Sequence, residues 1–268
     1  MKKNIIKVWP ADETVTLTVC CKEDSADNKP AVIVLPGGGY IAPAPREGEP
    51  VAEYFAQMGY LGCVLNYSTL HPDFNDYSDQ LNTHTVFPEP MHELAAAIKL
   101  LREKAEEFGI DRDRIAVVGF SAGGHLAANY CNFWDSEKEM GGYTESREEI
   151  RPNACVLCYA ATHLNAAKGG TMARAAFGRE KNTQEELDRY NAQYHISKST
   201  PPTFIWHTAD DTVISVRQSY DMALALHEHG VPHEIHVFST GPHASALSQD
   251  LPAHVWPELA DAFLKKYM

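Results

Sequence analysis

Apolar residues in this chain form short runs that alternate with longer amphipathic stretches. The run at 31–36 is continuous and rich in β-branched residues, which is typical of a strand covered on both faces. Residues 49–59 have helical spacing with Pro50 near the start, and another apolar run follows at 60–67. The first 67 residues therefore predict a strand, a helix and a second strand, preceded by an alternating strand at 14–21.

The same alternation continues to the end of the chain. Further strands are predicted over the apolar runs at 115–118, 154–160, 203–208 and 233–238, and helices over 91–108, the residues after Ser121, 215–229 and 255–266. Successive strands joined by helices predict an α/β fold with a mostly parallel central sheet and helices on both faces. In such a sheet, ligand chemistry is expected at the carboxyl ends of the strands.

Three polar segments interrupt this pattern. Residues 69–90 form a predicted loop rich in Pro and Asn. Its length favours a functional role at the rim of a site over that of a mere connector. Residues 134–152 are charged and predict a surface excursion, whereas 161–200 carry two weak helical patterns and no strand. We expect 161–200 to form a small lid over the site. No linker or repeat divides the chain, so residues 1–268 are predicted to form a single domain.

Composition and charge narrow the range of partners. The chain has 268 residues, of which 44% are hydrophobic and 22% charged, and this suits one globular domain with a large core. A net charge of -13 without a Lys/Arg cluster argues against nucleic acid and anionic membranes, and favours a neutral or cationic small substrate. The N-terminal apolar stretch is too short for a signal peptide, and no run reaches the roughly 18 residues of a membrane helix. We therefore expect a cytoplasmic protein, and the oligomeric state stays open.

The six cysteines lie in apolar surroundings and predict core positions. Cys155 and Cys158 have C-x-x-C spacing, but they fall in a predicted strand, where positions three apart face opposite sides. No second Cys/His pair has the spacing of metal ligands. No metal or organic cofactor is therefore expected.

The stretch 116–130 carries a chemical signal. Gly119, Ser121 and Gly123 form a G-x-S-x-G pattern where a β-branched run gives way to a helix. A serine on such a sharp turn has a strained backbone, and the glycines provide the clearance that the strand and helix need. The N–H of Ala122, in the first helical turn, would face negative charge developing near the serine hydroxyl. This pattern predicts an acyl-transfer nucleophile.

Candidates for the base and the acid follow Ser121 along the chain. A serine hydroxyl is a weak nucleophile unless an imidazole accepts its proton and a carboxylate orients that imidazole. Asp210 and Asp211 come directly after the strand predicted at 203–208, and His243 lies in a Gly-Pro turn after the next strand. His243 is preferred over the other histidines because of this context and this order. The residues alone leave Asp210 and Asp211 both open.

A glycine-rich loop, P-G-G-G-Y, follows the strand predicted at 31–36. Its backbone can approach a ligand closely, because three successive residues lack a side chain. An oxyanion needs two N–H donors, and with Ala122 supplying one, Gly38 and Gly39 are predicted to supply the other. Tyr40 is predicted to bind substrate, with a core position as the alternative.

Taken together, these features resemble the α/β-hydrolase superfamily along nearly the whole chain. The segments P-G-G-G-Y, REGEPVA at 46–52 and GFSAGGHLA are similar to those of small bacterial esterases of the acetyl esterase and carbohydrate-esterase type. The resemblance implies an α/β-hydrolase fold with a small lid insertion and short acyl esters as substrates, such as acetyl esters of sugars or xylo-oligosaccharides. It also favours Asp210 over Asp211, because the D-x-x-V pattern ending at Val213 matches the acid loop of related sequences.

The predicted function is hydrolysis of a small-molecule ester through an acyl-enzyme on Ser121. His243 would act as base and then as acid, Asp210 would orient it, and Ala122 with the loop glycines would hold the oxyanion. Three alternatives stay open. A serine peptidase resembling prolyl-oligopeptidase relatives would usually carry a propeller domain, and a binding protein on a hydrolase scaffold would tend to lose a triad residue. A dienelactone-type hydrolase would have cysteine in place of Ser121.

Overall fold

The computed structural model describes residues 1–22, 27–71, 86–141, 146–166, 170–179 and 181–268. Within these residues, eight strands form a single sheet. The strands are β1 (Lys2–Lys7), β2 (Thr16–Cys21), β3 (Lys29–Leu35), β4 (Leu61–Asn66), β5 (Ile110–Phe120), β6 (Ala154–Cys158), β7 (Thr203–Thr208) and β8 (His233–Phe238).

The sheet is parallel except at one edge. Its spatial order is β1-β2-β4-β3-β5-β6-β7-β8. The β1–β2 and β2–β4 pairs are antiparallel, and every pair from β4–β3 to β7–β8 is parallel. This arrangement confirms the mostly parallel sheet expected from the sequence. It also brings the carboxyl ends of β3, β5, β7 and β8 to the same edge.

Helices cover both faces of the sheet, as expected. They are α1 (Glu49–Gln57), α2 (Glu89–Glu103), α3 (Ala105–Phe108), α4 (Ser121–Phe133), α5 (Glu137–Met140), α6 (Thr171–Phe177), α7 (Gln184–Asp188), α8 (Arg217–Glu228) and α9 (Trp256–Tyr267), with 3-10 turns at Pro45–Glu47, Arg147–Ile150, Ala192–Tyr194 and Pro252–Val255. Buried side chains of α2, α4 and α8 pack against one face of the sheet, and those of α1 and α9 pack against the other. Strand β3 contributes to both layers, because Ile33 and Leu35 face the first and Val32 and Val34 the second.

The structure differs from the predicted elements at three places. The hydrophobic pattern misses β1, an edge strand that pairs only with β2 and whose side chains are mostly exposed. Strand β5 begins at Ile110 rather than at residue 115, and its first part is too polar to be recognised as a strand. The helix predicted over 91–108 is divided at Lys104 into α2 and α3.

The polar segments hold short helices where they are described. Residues 134–152 contain α5 and the turn Arg147–Ile150, and the described part of 161–200 contains α6 and α7 without a strand. The role of 161–200 as a lid stays a prediction. Most of the loop predicted at 69–90, namely 72–85, lies outside the described residues.

Glu93 is a fully buried carboxyl group on α2. It accepts the backbone N–H of Ser68 at 2.8 Å and is also hydrogen-bonded to the Ser68 hydroxyl. Burial raises the pKa of Glu93 from 4.5 to about 7, although both hydrogen bonds act in the opposite direction. A carboxyl group with a raised pKa binds its proton more tightly in the folded state than in the unfolded state. It therefore contributes most stability at low pH and loses that contribution as the pH rises through 7.

The Glu93→Gln variant is expected to lose this pH dependence. The free energy of unfolding of the wild type, relative to the variant, should fall by about 2–3 kcal/mol between pH 5 and pH 8. Urea denaturation of both proteins at the two pH values measures the difference. Glu103→Gln changes an exposed carboxylate on the same helix and is the matched control, for which no such fall is expected. A constant difference between wild type and Glu93→Gln would contradict the raised pKa.

Candidate active site

Ser121 lies on the sharp turn between β5 and α4. Its φ is 49°, in the left-handed region that residues with a side chain rarely adopt. A Cβ on Gly119 would lie 2.4 Å from the Gly123 carbonyl oxygen, and a Cβ on Gly123 would lie 2.1 Å from the Leu35 carbonyl oxygen. Because β5, α4 and the end of β3 approach each other so closely, only glycine fits on either side of the serine.

Two further side chains complete a hydrogen-bonded chain from Ser121 into the protein. The Ser121 Oγ lies 2.9 Å from Nε2 of His243, which follows β8. On the other side of the ring, Nδ1 of His243 lies 2.7 Å from Oδ2 of Asp211, which follows β7. The Asp211 side chain is fully buried, whereas that of His243 is 12% exposed. This arrangement can move a proton from the serine hydroxyl to an imidazole held by a buried anion.

The structure contradicts the choice of Asp210 as the carboxylate that orients His243. Asp210 points away from the imidazole and accepts hydrogen bonds from the Thr240 hydroxyl at 2.6 Å and the Gly241 N–H at 2.8 Å. Asp211 is turned inward instead, because its Oδ1 accepts the N–H groups of Val213 and Ile214. Adjacent residues project in different directions, so only one of the two carboxylates can reach the histidine.

Hydrogen bonds keep Asp211 ionised. Burial alone would raise its pKa, but hydrogen bonds from His207, His243 and the N–H groups of Ile214 and Val213 outweigh burial and hold the pKa well below its usual range. The carboxylate is therefore an anion in neutral and in mildly acidic solution.

The glycine loop lies beside Ser121. Gly38 has a φ of 115° and Gly39 a φ of 67°, and a Cβ on Gly38 would lie 1.8 Å from the Ala42 carbonyl oxygen. Both glycines line the same cavity as Ser121 and His243. Ala122 lies in the first turn of α4, where backbone N–H groups have no acceptor within the helix. Their role as oxyanion donors stays a prediction.

The structure contradicts the prediction that Tyr40 binds substrate. Tyr40 is only 2% exposed, and its ring packs edge to face against Tyr67, Phe87 and His125. Its hydroxyl lies 2.9 Å from Nδ1 of His125. Burial lowers the pKa of His125 to about 4, so this imidazole is neutral and its Nδ1 can accept the Tyr40 hydroxyl. Tyr40 is therefore a core residue that anchors the glycine loop.

A buried carboxylate, which the sequence pattern does not reveal, holds this loop to the histidine loop. Glu47 Oε2 accepts the Gly37 N–H at 2.8 Å, and Oε1 accepts the Tyr159 hydroxyl at 2.8 Å. The Tyr159 oxygen in turn accepts the Ala246 N–H at 2.9 Å, and its ring lies edge to face on His243. Burial raises the pKa of Glu47. In the sequence, Glu47 belongs to the segment REGEPVA, whose pattern does not show that this side chain is buried.

Two cavities adjoin each other at the site. The catalytic cavity, about 460 Å³ in volume, contains Ser121, His243 and the loop glycines in its lining. The second cavity, about 680 Å³, shares Met172, Val213 and Ile214 with the first. Met172 belongs to α6, so the segment 161–200 contributes to both cavities.

Five of the six cysteines are buried in the core, Cys21 is partly buried beside it, and none of them lines the two cavities of the site. Cys155 and Cys158 pack on opposite faces of the sheet, as the strand prediction requires. Within the described ranges, no group of three His, Cys, Asp or Glu side chains is arranged to hold a metal ion. In the same ranges, no helix has the length and apolar content that crossing a bilayer requires.

Comparison with known proteins yields one family and several relatives. Residues 17–226 match the BD-FAE family. Endo-1,4-beta-xylanase B of Butyrivibrio fibrisolvens is 30% identical over 220 residues, which are 82% of this chain and 33% of that protein. Acetylxylan esterase of Xylanibacter ruminicola is 25% identical over 77% of this chain and 38% of its own length. The chain thus spans about a third of the length of these curated relatives.

Solved structures match the whole chain. The acetyl ester-xyloside bifunctional hydrolase of Caldicellulosiruptor lactoaceticus is 30% identical with a TM-score of 0.79, covering 98% of this chain and 96% of its own. The carboxylesterase Cest-2923 of Lactobacillus plantarum is 25% identical with a TM-score of 0.82, covering 99% and 98%. These similarities confirm the expected α/β-hydrolase fold.

Proposed function

The chain belongs to the BD-FAE family, and from this membership we propose that it is a serine hydrolase of carboxylic esters in which Ser121, His243 and Asp211 react as a triad. The observation that carries the proposal is the 2.9 Å contact between the Ser121 hydroxyl and His243 Nε2 at the wall of an open cavity. Esterases and carboxylesterases among the relatives support the same reaction class.

The reaction proceeds in two halves. The Ser121 Oγ attacks the ester carbonyl carbon while His243 Nε2 takes the hydroxyl proton, and the N–H groups of Ala122 and the Gly38–Gly39 loop stabilise the oxyanion. The tetrahedral intermediate then breaks its bond to the alcohol oxygen, which takes the proton from His243. Water repeats the sequence on the acyl-enzyme, so that the carboxylic acid leaves and the serine hydroxyl is restored.

An acetylated sugar is the substrate class that we propose. Relatives named for acetylxylan and for acetyl ester-xyloside hydrolysis support this choice. The second cavity, beside the catalytic one, offers groups that suit a sugar. Its lining includes the 57% exposed ring of Tyr194 and the polar side chains of Gln193, Gln218 and Asp221.

A pair of substrates and one variant test this proposal. Wild-type protein is expected to release acetate from p-nitrophenyl acetate and from an acetylated xylo-oligosaccharide. Tyr194→Ala should raise KM for the sugar ester about three- to tenfold, because a ring that stacks on a pyranose is lost, and should leave p-nitrophenyl acetate turnover within about twofold. Steady-state kinetics on both substrates measures the difference.

Tyr220→Ala is the matched control. Tyr220 is a 49% exposed tyrosine on α8 that lines neither cavity, so KM for both substrates should stay at the wild-type value. No acetate release from either ester contradicts the hydrolase. If the wild type releases acetate from p-nitrophenyl acetate but not from the sugar ester, only the sugar subsite is contradicted. The same holds if Tyr194→Ala impairs hydrolysis of both esters equally.

A further inference from the structure

We propose that His207 is a positioning residue: it donates a second imidazole N–H to the Asp211 oxygen that holds His243, and so limits how strongly that carboxylate stabilises protonated His243. The proposal rests on the triad proposed above. It adds a fourth side chain that acts through Asp211, and it predicts a pH dependence that the three triad residues alone would not give.

The contact geometry places His207 on the same oxygen as the proposed base. Asp211 Oδ2 lies 2.7 Å from Nδ1 of His243 and 3.1 Å from Nε2 of His207. The other oxygen, Oδ1, accepts the N–H groups of Val213 and Ile214. His207 is completely buried, so it does not touch a substrate in the cavity. Any effect of His207 on the reaction must therefore pass through the carboxylate.

The surroundings of the ring decide which nitrogen carries the proton. His207 Nε2 faces two acceptors, Asp211 Oδ2 and the Ile214 carbonyl oxygen, at 3.1 Å and 3.0 Å. A bare nitrogen lone pair there would oppose two oxygens, so Nε2 bears a hydrogen. On the other side, Nδ1 lies 2.7 Å from the hydroxyl of Ser219 on α8, which donates to it when the ring is neutral. Helix α8 thus holds the imidazole with its N–H directed at Asp211.

Sharing one oxygen between two donors changes the basicity of the Asp211 carboxylate in one direction. Each N–H that points at the carboxylate lowers its basicity, and a less basic carboxylate stabilises an imidazolium less. An Asp211 that accepts both imidazoles therefore stabilises protonated His243 less than an Asp211 without His207 would. Weaker stabilisation favours the free base and makes the imidazolium a better acid towards the leaving alcohol.

Other ionisable groups facing this cluster are unchanged by substitution at position 207. Glu47, from the turn after β3, and Tyr159, from the end of β6, face His243. Asp210, which precedes Asp211 in the chain, faces Thr240 and Gly241 and also acts on Asp211 through its charge. Because these groups remain in every variant, a change in the pH profile reports the loss of the His207 hydrogen bond.

The experiment compares the acidic limb of the pH profile of kcat/KM for p-nitrophenyl acetate. His207→Leu removes the N–H and is expected to move the limb upward by about 0.5–1 pH unit. His207→Gln places an amide N–H where Nε2 lies and should stay within about 0.2 pH unit of the wild type. A limb that does not move in folded His207→Leu, or that moves equally in His207→Gln, overturns the proposal. A purely structural histidine would lower Tm or kcat and leave the limb in place.

A second variant keeps the test decisive if His207→Leu does not fold. Ser219→Ala removes the hydroxyl at Nδ1, which weakens Nε2–H as a donor, and a smaller upward movement of the limb is expected. No movement in Ser219→Ala then counts against the proposal.

The rate of fluorophosphonate labelling over the same pH range separates a failure of the proposed function from a failure of the role of His207. A wild type that is not labelled contradicts the proposed function, whereas equal limbs in labelled wild type and His207 variants contradict only the role of His207.

Discussion

Ser121→Ala is expected to lower kcat/KM for p-nitrophenyl acetate by roughly 10⁴- to 10⁶-fold. Alanine removes the Oγ that lies 2.9 Å from His243 Nε2, and no acyl-enzyme can form without it. The rate that remains would come from the oxyanion donors and from binding, which do not need the nucleophile. Initial rates and labelling by a fluorophosphonate probe measure the two losses separately.

Ser199→Ala is the control for this variant. Ser199 contacts the Ser197 hydroxyl and lines neither cavity, so activity and labelling should equal those of the wild type. Persistent labelling of Ser121→Ala would show that another residue reacts with the probe and would contradict the nucleophile. Including an aminoacyl-proline anilide in the assay distinguishes the esterase from a serine peptidase, because only the peptidase would cleave the anilide faster than the ester.

The parts of this molecule that the sequence predicts correctly depend on local pattern and chain order. Buried parallel strands need apolar side chains on both faces, so β3, β6 and β7 can be recognised from short runs of residues. The two glycines around Ser121 follow from sterics within one turn. Because parallel strands end at one edge of the sheet, the order serine then histidine already indicates that Ser121 and His243 approach each other.

The errors have a common physical origin in side-chain direction within loops. Tyr40 has a φ of 60°, which turns its ring into the core, and no periodicity reports such a residue. Asp210 and Asp211 are chemically identical neighbours, and the choice between them depends on the turn formed with Val213 and Ile214. Glu47 acts through a contact with a residue far along the chain. His207 acts through the bend that follows β7. Such roles become visible only when the fold is known.

The adjacent aspartates give the sharpest test of the site, with each variant serving as the control for the other. Asp211→Asn is expected to lower kcat/KM for p-nitrophenyl acetate by about 10³- to 10⁴-fold, whereas Asp210→Asn should stay within about threefold. An asparagine at 210 keeps an oxygen for the Gly241 N–H, which Asp210 accepts at 2.8 Å. Steady-state kinetics on the two purified variants measures both effects.

The large effect at 211 follows from where its two oxygens point. The N–H groups of Val213 and Ile214 at Oδ1 require an acceptor, so an asparagine keeps its oxygen there and turns its NH₂ toward His243. Facing a donor, Nδ1 of His243 must present its lone pair, and the hydrogen then moves to Nε2, which can no longer accept the serine proton. If Asp210→Asn lowered kcat/KM more than Asp211→Asn, Asp210 would be the carboxylate that orients the base. That result would contradict a catalytic role for the 2.7 Å contact between Asp211 and His243.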